Sequence, residues 1–182
     1  MDYYLTIKMT HILAAVVVAG TGTGIAFFMF MASRSNNIQA IAVTTKHVVL
    51  ADWVFTLPAV VVQFVTGMML MNLLNYSYTS TWFLTVISLF IFIGACWLPV
   101  VYLQYRLKHY ATQAIKEDVL SKSFKKTMKL WTALGVPAFA AILVIFWLMV
   151  FKPLSLVYGL TMTERQLLAA KLCLAFLWIF IV

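Results

Sequence analysis

Five polar side chains stand inside long apolar runs of this sequence, and they are the groups able to do chemistry: Lys8, His11, Asp52, Gln63 and Lys171. An ionisable group inside a bilayer is costly to bury, so each one needs an explanation. A neutral imidazole can ligate haem iron, which makes His11 the metal-ligand candidate. Lys8 precedes it by three residues and so shares its helix face, where a cation could hold a haem propionate. The alternative is that His11 only hydrogen-bonds a neighbouring helix, or Gln63. Asp52 could relay protons or bind a cation; pairing with Lys46, Arg34 or a basic loop at the interface is the other reading. His47 and His109 lie at basic edges, and His11 and His47 fall on opposite sides of the bilayer, which makes them a poor bis-histidine pair.

Composition explains why those groups are so few. Of 182 residues, 64% are hydrophobic, 15% aromatic and only 10% charged. Soluble domains carry about 45–50% apolar and about 25% charged residues. A soluble enzyme is excluded, and so is a disordered chain, which is poor in aromatics and rich in charge. The net charge of +8 comes from 13 Lys and Arg against 5 Asp and Glu. With no compact basic domain, that excess reads as cytoplasmic loops of a membrane protein, with no nucleic-acid partner. Cys96 and Cys173 lie in separate apolar runs and have no metal-ligand spacing. The methionines, Met68, Met69 and Met71 among them, read as packing filler. No serine-histidine-acid set, phosphate loop, zinc motif or dinucleotide fingerprint is present.

The elements that position these residues are transmembrane helices. A span needs about 20 apolar residues, and the chain offers five such windows. Runs such as 86–101 are apolar on every face, which argues against a barrel strand. Span one covers about 5–32 and opens without a basic stretch, as a retained span does. Its Gly20-x-x-x-Gly24 pattern allows close helix approach, within the chain or in a dimer. Asn36 or Asn37 caps a second helix that starts at Ile38 and runs to about Leu73, with a kink expected near Thr56 to Pro58. Span three runs from Trp82 to about Tyr105 with Pro99 inside it, and span four from Leu130 to Phe151 with Pro137. The segment from Arg106 to Lys129 reads as an amphipathic cytoplasmic loop helix, with anionic lipid heads as its partner. A connector and a fifth span, holding Lys171, occupy 154–182, after a four-span domain over 1–153.

Charge sets the orientation. Arg34, Lys46 and the long basic cluster put the first and third connectors inside, the N-terminus outside and the C-terminus inside. Depth then follows from the helical rise. His11 lies about 9 Å below the outer surface, and Gln63 about 22 Å above the inner one, in a core about 30 Å thick. Lys171 falls at a similar level, so His11, Gln63 and Lys171 share one layer by height alone.

Four stretches carry a resemblance to a bacterial membrane family, domain of unknown function 2269: Lys8-Met9-Thr10-His11-Ile12-Leu13, Val48 to Thr56, Gly94-Ala95-Cys96-Trp97-Leu98-Pro99-Val100-Val101, and Phe151-Lys152-Pro153. That resemblance covers residues 1–154 and implies a multi-span protein of the bacterial inner membrane with no established activity. The chain is also similar, more weakly, to the membrane-bound haem-containing protoporphyrinogen oxidases and their copper-resistance relatives. The shared features are the Lys8-x-x-His11-Ile12 opening, Pro58 followed by Gly67, and a helix running from Val136-Pro137 to Lys152-Pro153. This second resemblance implies haem b ligated by His11, the one residue it carries over; Lys8 by helix face, and Gln63 and Lys171 by depth, are the candidates to surround it. The third-span lysine of those oxidases is missing, since residues 82–105 contain no Lys. Leu134-Gly135 stands where they carry Asn-Glu. The expectation is an all-α polytopic bundle of the inner membrane. Three functions stand open: a haem-binding redox protein, a non-catalytic structural or assembly subunit acting as a homo-oligomer or beside a membrane partner, and a small-molecule permease.

Overall fold

The computed structural model describes residues 2–151, and every regular element among them is helical. The elements are α1 (Asp2–Arg34), α2 (Ile38–Ala51), a π-helical turn (Asp52–Thr56), α3 (Leu57–Leu73), α4 (Thr81–Glu117) and α5 (Lys122–Phe151). Because α2, the π-turn and α3 form one continuous rod, these make four helices long and apolar enough to cross a membrane. The expected fifth span, with Lys171 and Cys173, lies outside the described residues.

Local chemistry explains the boundaries. Asn37 caps α2 by accepting from the Ala40 N–H at 3.0 Å, and Ser80 caps α4 by accepting from Phe83 N–H at 3.3 Å. Asn36, Asn75 and Asp118 take the left-handed conformation that short polar side chains tolerate, and each sits at a connection. The expected kink at Pro58 takes the form of the π-turn. A proline ring crowds the carbonyl four residues earlier and offers no N–H. Widening the preceding turn over Asp52–Thr56 accommodates this, and the Leu57 N–H closes it on the Asp52 carbonyl.

The segment from Arg106 to Lys129 differs from expectation. It is no separate loop helix. Span three simply continues as α4 to Glu117, and span four already begins at Lys122. The reason is packing: Leu107, Ala111 and Ala114 of α4 and Phe124 and Met128 of α5 are buried, whereas Ile115 and Val119 are exposed. The apolar side of the amphipathic pattern serves helix–helix contact.

All four spans meet in this basic half of the molecule. Ile25 and Met29 of α1, Ile41 and Val48 of α2, Val100, Leu103 and Leu107 of α4, and Trp131 of α5 form one cluster. In the other half, α1 packs on α3 and α4 on α5, with Phe64 of α3 stacked against Phe90 of α4 at 5.8 Å. Only 11–28% of each span's apolar window is buried, so most of that surface is left for lipid tails. Lipid is as apolar as leucine, so close packing and interhelical hydrogen bonds must hold such helices together.

Candidate functional site

His11 and Gln63 meet. The depth argument gave them one level, and the structure gives them facing directions across the α1–α3 seam. The Gln63 Nε2 donates to His11 Nε2 at 3.0 Å, and His11 Nδ1 pairs with Thr66 Oγ1 at 2.9 Å. The Thr66 hydroxyl also lies 2.6 Å from the Val62 carbonyl, which can only accept. With the Gln63 amide nitrogen facing the ring, one proton assignment fits the network. Thr66 gives its proton to Val62, so its oxygen accepts from His11 Nδ1–H, and His11 Nε2 carries the lone pair that accepts from Gln63. Both imidazole nitrogens are engaged.

Helix geometry on α3 makes this possible. Gln63, Thr66 and Gly67 are spaced three and four residues apart and so share one face. A Cβ on Gly67 would stand 3.2 Å from His11 Cε1, closer than ordinary contact. The glycine lets the ring approach α3 closely. Thr66 and Gly67 were not singled out as partners of His11 from sequence; their spacing from Gln63 in an otherwise apolar helix was the available signal. The Gln63 Oε1 is buried without a partner.

The remaining candidates fall elsewhere. Lys8 is exposed, and its Nζ sits 5.6 Å from the Tyr4 ring centroid, on α1 itself. It does not join the His11 network. Lys171 is outside the described residues. Asp52 does not pair at the interface with Lys46 or Arg34. It is 5% exposed within the bundle, and its Oδ2 has no hydrogen-bond partner. The reason is its place on the inward face of the second span, one turn beyond the buried Val48. Next to it, Trp53 turns outward and its indole donates to the Tyr105 hydroxyl at 2.7 Å, tying the π-turn to α4. His47 and His109 are exposed.

Among the described residues Gly20 and Gly24 are not used for close packing, because a Cβ on either meets nothing within 4 Å. Gly24 borders a shallow groove of about 440 Å³ between α1 and the second span, lined also by Thr21, Thr44 and His47. Cys96 is a buried free thiol, and no group of three His, Cys, Asp or Glu side chains among the described residues is placed to hold a metal ion.

A family model described as a predicted integral membrane protein, DUF2269, matches residues 5–153. The chain belongs to that family. Within DUF2269 this chain thus places its His11 clasp, its π-turn and its four described spans inside the matched region. It is a multi-pass membrane protein. No curated protein and no solved structure matches it.

Proposed function

We propose that the chain is a non-catalytic structural or assembly component of a bacterial cytoplasmic membrane, with its basic end facing the cytoplasm. The observation that carries this reading is the occupation of both His11 nitrogens. A histidine that serves as an axial haem ligand must offer a lone pair to iron and usually donates its other N–H to a fixed acceptor. Here the second condition is met by Thr66, but the Nε2 lone pair is directed at the Gln63 amide. Gly67 backs the ring at close range, and Lys8 points along α1 toward Tyr4. The arrangement as it stands does not fit an iron ligand with propionate partners. It fits an interhelical clasp, which is what polar groups between spans supply where no hydrophobic effect drives association.

The competing reading, haem b on His11 in a redox role, is separated by one experiment. The protein is purified from haem-sufficient cells and its absorption spectrum recorded. The clasp reading expects no Soret band and a loss of stability in His11→Ala. A stoichiometric Soret band that disappears in His11→Ala overturns it. An assembly role further expects a stoichiometric membrane partner, or a defined oligomer, in mild detergent.

A further inference from the structure

We propose that the groove between α2 and α4 at the basic end of the bundle binds the phosphate of an anionic phospholipid through Lys46 and Lys108. The site requires only that this end lie at a bilayer surface, and it is independent of the His11 clasp.

Helix periodicity builds the groove. Gln39, Val43 and Lys46 recur at four- and three-residue spacing on α2, and Lys108, Thr112 and Ile115 do the same on α4. Each set therefore forms one stripe along its helix. The two stripes line a single shared groove of about 250 Å³. Thr45, Leu107 and Ala111, next in sequence to Lys46, Lys108 and Thr112, are buried. The groove thus opens beside the seam where α2 and α4 pack.

Its height follows from the neighbouring aromatic pair. Trp53 and Tyr105 are exposed and hydrogen-bonded at 2.7 Å. Such amphipathic rings sit at the membrane–water interface. Lys46 stands seven residues from Trp53 toward the basic end, and Lys108 three residues from Tyr105 in the same direction. At 1.5 Å per residue these are steps of about 10 and 5 Å, which put both ammonium groups in the headgroup layer. The exposed Leu50, one turn from Lys46 toward the bilayer, is left to the acyl chains.

Charge and shape then name the ligand. Among the described residues neither lysine has an ion-pair partner. The Thr112 hydroxyl already donates to the Lys108 carbonyl at 2.9 Å, so the two ammonium groups and the exposed Gln39 amide are the donors of the groove. Two cations sharing one groove repel each other unless an anion lies between them. A phosphodiester supplies one negative charge and several acceptor oxygens, and lysine binds phosphate as a point charge. Val43 and Ile115, 54% and 49% exposed, give the same groove an apolar wall. A lipid matches both the lysines and that wall, whereas free phosphate matches the lysines alone. Basic pockets between spans are a known class of headgroup site.

The test titrates the full chain with phosphatidylglycerol, or with phosphatidylcholine as control, and counts bound lipid by native mass spectrometry. Wild type should prefer phosphatidylglycerol, and Lys46→Gln and Lys108→Gln should each weaken its binding about fivefold. Lys125→Gln with Lys126→Gln removes two charges from exposed positions of α5 and should leave binding unchanged. Inorganic phosphate in excess should not displace the lipid. Phosphatidylglycerol with a photoreactive headgroup, irradiated with wild type, should label residues 39–46 and 108–115, which tests the site even if a variant folds poorly. No preference over phosphatidylcholine, equal weakening in the α5 double variant, displacement by inorganic phosphate, or labelling confined to other segments each overturns the proposal.

Discussion

Replacing His11 with leucine removes both hydrogen bonds that join α1 to α3 while keeping an apolar side chain of similar reach. An interhelical hydrogen bond in a membrane contributes about 0.6 kcal/mol on average and up to about 1.7. Two such bonds, at 3.0 and 2.9 Å, put the loss for His11→Leu at about 1–3 kcal/mol. Thr66 stays satisfied through the Val62 carbonyl, so the damage falls on Gln63, whose amide loses its acceptor. Gln63→Leu should cost less, about 0.5–1 kcal/mol, because it also removes the orphaned Oε1. Once His11 is leucine, removing Gln63 should cost nothing further or help slightly. The double variant is then more stable than the sum of the singles by about 0.5 kcal/mol or more. Reversible unfolding in mixed micelles, followed by helical circular dichroism, measures all four proteins. Strict additivity, or a His11→Leu variant as stable as wild type within about 0.3 kcal/mol, refutes the clasp.

Other outcomes follow from the same geometry. Gly67→Ala pushes a methyl group to 3.2 Å from His11 Cε1, and overpacking of this kind should cost about 1–3 kcal/mol in the same assay. Gly20→Ala meets nothing within 4 Å among the described residues and should be neutral, or stabilising by up to about 1 kcal/mol. If an oligomer is isolated, its loss in Gly20→Leu with unchanged folding would place the contact on that face. Tyr105→Phe removes the acceptor of the Trp53 indole at 2.7 Å, and Trp53 fluorescence should then respond as the π-turn loosens from α4. Lys46 and Lys108 line a groove of about 250 Å³ between α2 and α4 with Gln39 and Thr112. Charge removal at both lysines should weaken anionic-lipid retention by about 1 kcal/mol per residue, read by native mass spectrometry against a zwitterionic lipid control. Reporter fusions after Asn37 and after Glu117 should report the cytoplasm, and one after Tyr78 the opposite side.

The membrane bundle was legible from residues alone because hydropathy and charge are sums along the chain. A run such as 86–101 has no polar face in any conformation, so its solvent is decided before its partners are. The cap of α2 was legible for a similar reason: Asn37, one of the two asparagines expected there, acts on a backbone N–H three residues away, whereas the Ser80 cap of α4 was not singled out. Height in the bilayer is also a linear count, which is why His11 and Gln63 could be put in one layer. What a count cannot supply is the rotation of each helix about its axis. That rotation turned His11 onto Gln63, Thr66 and Gly67 instead of leaving a lone pair free, and it turned Asp52 inward, away from Lys46. It also depends on one extra residue per turn between Asp52 and Thr56, where Pro58 widens the helix. The fate of the basic segment was tertiary too. Leu107 and Phe124 are apolar by type, but only α2, α4 and α5 meeting at that end made them core and left Ile115 and Val119 outside. Residue type fixed which groups are expensive in lipid; the azimuth at which four helices pack decided which of them found a partner and which still lack one.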